Sequence, residues 1–175
     1  MLRHLLKSKT GEKAGDRLYA AAVAQARKPE FYTDLGAPDR IDARFELYTL
    51  HVLLLVLRLR DEGDVGTEPA QVLFDTYVSA LDHALRELGV GDISMARKMR
   101  NLGEALYGRM TAYEAPLRAG DAETLAEGLS RNLYAADSPP GAVSLARYAL
   151  AARAALAAQG FDAVMKSPAW PEIAR

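Results

Sequence analysis

From Leu47 to Leu57 the chain is apolar except at Thr49 and His51. Crossing a bilayer takes about 20 apolar residues, so this shorter run predicts a helix buried in protein. Around it Ile41, Phe45, Tyr48, Val52, Leu55 and Leu59 recur at helical spacing. Leu47, Leu50, Leu54 and Leu57 add a second stripe beside the first. A helix that is apolar around most of its circumference belongs at the centre of a fold. The expected bounds are Asp39 to Asp61, with Gly63 as the stop. Burial of its leucines, at about 1.5–3 kcal/mol each, makes it the nucleus of the core.

The rest of the chain must supply layers to surround that helix, and its periodicity is helical almost throughout. No alternating strand run and no Asn-Gly hairpin turn occurs. A first helix is expected from Asp16, as its cap, to Arg27, ended by Pro29. Phe31 to Gly36 reads as a short helical turn closed by glycine. A third helix is expected from Pro69, as a first-turn proline, to Leu88, with Leu73, Tyr77, Leu81, Ala84 and Leu88 inward. A fourth runs from Ser94 to Leu117, with an inward stripe at Met95, Met99, Leu102, Leu106, Met110, Tyr113 and Leu117. Gly103 and Gly108 inside it predict close approach of another backbone. Asp121 caps a shorter helix to Tyr134, and Ser138-Pro139-Pro140-Gly141 breaks the chain before a last helix, Ala142 to Gln159. The fold class is therefore all-α: a single irregular bundle of about six to seven helices around a central apolar one. Residues 1–15 are expected to form a flexible basic arm, 16–160 the helical domain, and 161–175 an extended tail that docks Trp170.

The arm carries Arg3, Lys7, Lys9 and Lys13 around Leu2, Leu5 and Leu6, without the apolar core of a secretory signal. It reads as a solvated terminus, with contact to a membrane surface or ribosome as the alternative. At 175 residues the chain can bury a core without staples, and it has no cysteine. Disulfides, zinc-thiolate sites and thiol nucleophiles are thereby excluded.

The histidines are His4, His51 and His83, none in a Glu-x-x-His pattern, so a di-iron bundle site is not expected. His83 and Glu87 could share a metal but read better as a solvated pair. His51 reads as a core histidine bonded to a neighbouring helix, with proton carrier or haem ligand as the alternative. Asp34, Asp39 and Asp42 are close in sequence, but two of them lie around a helix start, and capping and dipole complementarity explain them without catalysis. No phosphate-cradling loop or nucleophile elbow is present. No enzyme activity, metal or cofactor is expected.

With 22 basic and 23 acidic side chains the net charge is −1, against the basic excess of most nucleic-acid binders. The segment from Leu81 through Gly89-Val90-Gly91-Asp92 to Leu102 nonetheless has helix–turn–helix proportions. Ser94, Arg97, Lys98 and Asn101 would then face phosphates and bases, so a nucleic-acid-binding regulator is the alternative function.

Three blocks carry a family resemblance. The first contains Tyr19, Val23-Ala24-Gln25-Ala26-Arg27, Pro29-x-Phe31-Tyr32-x-Asp34-Leu35-Gly36-x-Pro38-Asp39, Asp42-x-Arg44-Phe45-Glu46 and Leu50-His51-Val52. The second is Leu81-Asp82-x-x-Leu85-Arg86-Glu87-Leu88-Gly89-Val90-Gly91-Asp92. The third is Lys98-Met99 with Ala105-Leu106-Tyr107-Gly108-Arg109-x-x-Ala112-Tyr113. In this order and spacing they resemble the ubiquinol–cytochrome c chaperone family; Ala37 and Ala43 depart modestly from its pattern. The resemblance implies a non-enzymatic assembly factor for the respiratory ubiquinol–cytochrome c reductase (complex III). Its implied partner is nascent or unassembled cytochrome b, with the ribosome or a small partner protein as further candidates and no nucleic acid. It also implies a cytoplasmic location, with peripheral contact at the inner face of the inner membrane, because the targeting sequence of mitochondrial relatives is missing. Such a factor needs an accessible apolar or aromatic surface, and tyrosine and arginine carry most interface energy. The partner-binding candidates are Phe31, Tyr32, Asp39, Arg44, His51, Asp82, Arg86, Arg97, Lys98, Tyr107, Arg109 and Tyr113.

Overall fold

The apolar stretch becomes α3, Ile41–Arg60, in a computed structural model that describes residues 2–87, 92–136 and 139–173. Side chains are described within those ranges except at 2–12 and 92–96. Every residue of α3 from Glu46 to Leu59 is buried except Tyr48, which is half-buried. The other elements are α1 (Leu2–Ala26), α2 (Glu30–Thr33), α4 (Asp64–Glu87), α5 (Asp92–Ala119), α6 (Ala122–Leu129), α7 (Pro140–Ala157) and α8 (Phe161–Lys166). A π-helical turn at Ser130–Tyr134 continues α6. No strand occurs among the described residues.

The sheath around α3 follows from the sequence pattern. Leu18, Ala22 and Ala26, one turn apart, form the buried stripe of α1, which lies along α4 and α3. Leu145, Ala146, Ala149, Ala152 and Leu156 do the same for α7, which packs on α3 and α6. Asp121 caps α6 as expected, its carboxylate accepting from the backbone N–H groups of Glu123 and Thr124 at 3.1 and 3.0 Å.

Several expectations are corrected. The first helix begins at Leu2 rather than Asp16, so Asp16 lies inside a helix and caps nothing. The third begins at Asp64, with Pro69 in its interior. Proline there removes a bond to the carbonyl of Val65, whose position is exposed enough for water to replace the donor. Residues 161–166, expected in an extended tail, form α8 and bury Val164. Residues 167–173 are extended, and they are fastened by Gln159, whose side-chain amide donates to Ala169 O and accepts from Ala169 N–H, both at 2.8 Å.

Close backbone approach occurs at other glycines than those expected. A Cβ at Gly103 or Gly108 would meet no atom within 4 Å among the described residues. At Gly66 it would lie 1.7 Å from the carbonyl oxygen of Leu59, where α4 folds back tightly on α3. At Gly141 it would lie 1.9 Å from Leu35 O, so the start of α7 rests on the turn after α2.

Candidate functional site

Motif residues far apart in sequence meet at the side of α3 that faces α5. Glu46 is buried, pairs with Arg109 and accepts from the Tyr113 hydroxyl at 3.4 Å. Asn132 donates to Tyr113 Oη at 3.0 Å, and the Arg109 guanidinium lies over the Phe45 ring. This polar node ties α5 to the core. Burial pushes the Glu46 carboxyl up to about 7, outweighing the opposing pull of Arg109.

A second network lies deeper. His51 Nδ1 is 2.7 Å from Leu47 O, which can only accept, so Nδ1 carries the proton. Nε2 therefore accepts from the Tyr148 hydroxyl at 3.0 Å, and that hydroxyl accepts from Gln25 at 2.9 Å. Phe31, Tyr148 and Trp170 set ring edges or tilted faces around the imidazole. Burial lowers the His51 pKa to about 4, so the ring is neutral. With both nitrogens bonded and the ring fully enclosed, His51 is a core residue in this conformation.

One accessible feature is a groove of about 900 Å³ between α4 and α5. Ala70 and Phe74 form its apolar wall on α4, with Tyr107, Met110 and Ala115 opposite on α5. Arg60, Arg118 and Glu114 contribute its charged groups. Tyr107 is 76% exposed, the most exposed large apolar side chain among the described residues. Met99, Leu102 and Met110, expected inward, are only half-buried, whereas Leu106, Tyr113 and Leu117 reach the core. On α4 Leu81, expected inward, is half-buried with Val78 and Leu85; Ala84, also expected inward, is exposed, and Leu88 lies outside the described residues. The two helices thus carry apolar stripes past the point where the core covers them.

The twelve candidates separate by exposure. Phe31, His51 and Tyr113 are interior, out of a partner's reach in this arrangement. Tyr32 is half-buried, Asp39 pairs with Arg44 at 2.6 Å, and Asp82 pairs with Arg86 at 2.8 Å. Arg109 is spent on Glu46. Arg97, Lys98 and Tyr107 are exposed along α5, as is Asn101. The Ser94 side chain and the Gly89–Gly91 part of the proposed helix–turn–helix bend lie outside the described residues. His83 and Glu87 are both exposed. No group of three potential ligands could hold a metal among the described residues. Nor, among them, is any helix long and apolar enough to cross a membrane.

Sequence reasoning missed Arg60, Phe74 and the buried polar residues Glu46 and Arg58 as organising groups. A charge at a core-facing position of an apolar helix was the available signal for the last two. Arg58 donates to Leu156 O at 2.8 Å and Gln159 O at 2.7 Å, satisfying the end of α7.

The family profile described as Ubiquinol-cytochrome C chaperone matches residues 33–170. The chain belongs to that family. This ubiquinol-cytochrome C chaperone homologue is 24% identical over 67% of its length to ubiquinol-cytochrome-c reductase complex assembly factor 1 of Xenopus laevis. It is 22% identical over 67% of its length to the corresponding protein of Mus musculus. The matches cover 58% of the frog protein and 40% of the mouse protein, so the chain spans about half the length of these relatives. The crystal structure of the Cbp3 homolog from Brucella abortus superimposes with a TM-score of 0.86 at 34% identity. That match covers 99% of this chain and 98% of the other.

Proposed function

We propose that this member of the chaperone family assists assembly of ubiquinol–cytochrome c reductase by binding newly synthesised cytochrome b on the α4–α5 face. The observation that supports this site is the apolar stripe of the two helices that the core covers only in part, with the exposed Tyr107 at its crest. A holding factor for a membrane subunit needs such a surface and no catalytic group. Arg97 and Lys98 on the same helix form a cationic patch suited to an anionic neighbour, the ribosome or the inner face of the membrane. A small partner protein would occupy what remains of this face. No catalytic step is assigned.

Deleting the gene is expected to lower assembled cytochrome b while its transcript persists, and normal complex levels in the deletion strain would sink the proposal. Complementation with Tyr107→Asp should restore the soluble protein to its usual level but recover little of the cytochrome b.

A further inference from the structure

We infer that the α4–α5 groove receives an apolar helix and that Arg60 selects for a carboxylate near one end of that helix. The inference rests on reading this groove as the client surface and names the kind of segment it takes.

The walls dictate a helical occupant. Thr67, Ala70 and Phe74 lie on α4, and Tyr107, Met110 and Ala115 on α5. Apart from the carbonyls opposite Pro69 and Pro116, both walls spend their backbone groups on their own helical ladders, so an extended segment would find no strand edge to pair with. Its N–H and C=O groups would lose water without replacement. A helix brings these groups already satisfied and offers only side chains. Between Tyr107 and Arg118 the α5 wall extends about 16 Å, room for about three helical turns.

Charge then distinguishes one end. Arg118 donates to Glu114 at 2.8 Å and to Asp61 at 3.0 Å, while Arg153 takes the other Asp61 oxygen at 3.0 Å. Arg60 also lines the groove and makes no ion pair among the described residues. A wholly apolar occupant would strip water from this guanidinium and return nothing. A carboxylate placed there compensates it and fixes the direction in which the helix lies.

The test uses fluorescein-labelled leucine/alanine helical peptides of about 18 residues, identical but for Glu or Gln near one end. Binding to the full chain is followed by anisotropy. At low salt the Glu peptide is expected to bind about two- to five-fold more tightly, as for a partly exposed ion pair. Added salt should erase the preference. Arg60→Gln should retain affinity for the Gln peptide and lose the preference. Ala115→Arg, which fills the groove from an exposed position, should weaken both peptides about ten-fold or more with an unchanged circular dichroism spectrum. Equal affinities in the unmodified chain, a preference that survives Arg60→Gln, or binding indifferent to Ala115→Arg would each overturn the inference. These measurements contain no cytochrome b. A negative result beside a deletion strain deficient in cytochrome b therefore removes the groove's selectivity and leaves the assembly role standing. Positive peptide binding beside a normal deletion strain does the reverse.

Discussion

Glu46 and His51 are both buried on α3, and their protonation pulls stability in opposite directions. Folding raises the Glu46 pKa from 4.5 to about 7, so the folded chain holds a proton that the unfolded chain has released. Its contribution is present at low pH and is lost as pH rises through that window. Folding lowers the His51 pKa from 6.5 to about 4, so here the unfolded chain holds the extra proton. That contribution is complete above pH 6.5 and is lost as pH falls toward 4. In urea titrations, Glu46→Gln should become progressively more stable relative to the parent chain as pH rises from 5 to 7.5. His51→Gln should do so as pH falls from 6.5 to 4.5. Each relative slope should approach but not exceed about 1.4 kcal/mol per pH unit. A flat difference for either variant would mean that its group does not titrate in the fold. Tyr148→Phe should cost about 1–3 kcal/mol in the same assay, because His51 Nε2 loses its donor and Gln25 its acceptor.

At the scale of elements, glycines report which helices touch. Gly66→Ala forces a methyl group against the Leu59 carbonyl, and with backbone on both sides the hairpin between α3 and α4 must open. A loss of about 1–3 kcal/mol or more is expected. Gly103→Ala and Gly108→Ala on α5 meet no atom within 4 Å among the described residues and should each stabilise the chain by about 0.5–1 kcal/mol through helix propensity alone. Thermal unfolding of the three variants checks both signs. Destabilisation at Gly103 or Gly108 would show that another backbone does approach α5. The helical pattern of α5 could not distinguish these cases. A stripe of Met99, Leu102, Leu106 and Met110 has the same periodicity whether a neighbour covers it or not.

On the scale of the whole molecule, the segment after α7 closes the bundle over His51. Trp170 packs edge-on at 5.2 Å between ring centroids, and Gln159 pins the neighbouring backbone at Ala169. Trp170→Ala should lower stability by about 2 kcal/mol, less than for a fully buried tryptophan because the indole is only half-buried. In a chain of this size that is a fall of about 4–8 °C in Tm, readable by differential scanning calorimetry. An unchanged Tm would mean that the tail contributes nothing to closing the core.

Residue order alone determined the all-helical class and the central place of α3, because period and apolar width are local properties that each helix carries into any arrangement. It also determined the Asp121 cap, whose partners are the next few residues, and the family resemblance, which is carried by motif order. Only the tertiary structure decided which apolar stripes are covered, since cover belongs to a pair of elements and not to either one. That is why Tyr113 and Leu106 are core while Tyr107 is exposed on the same helix. It decided too that Glu46 meets Arg109 and that His51 meets Tyr148, pairs separated by long stretches of chain. Arg60 reads in sequence as one more cation at a helix end. In the fold it lines the groove with no ion pair among the described residues, while its neighbour Asp61 is held by Arg118 and Arg153, which come in from two other helices.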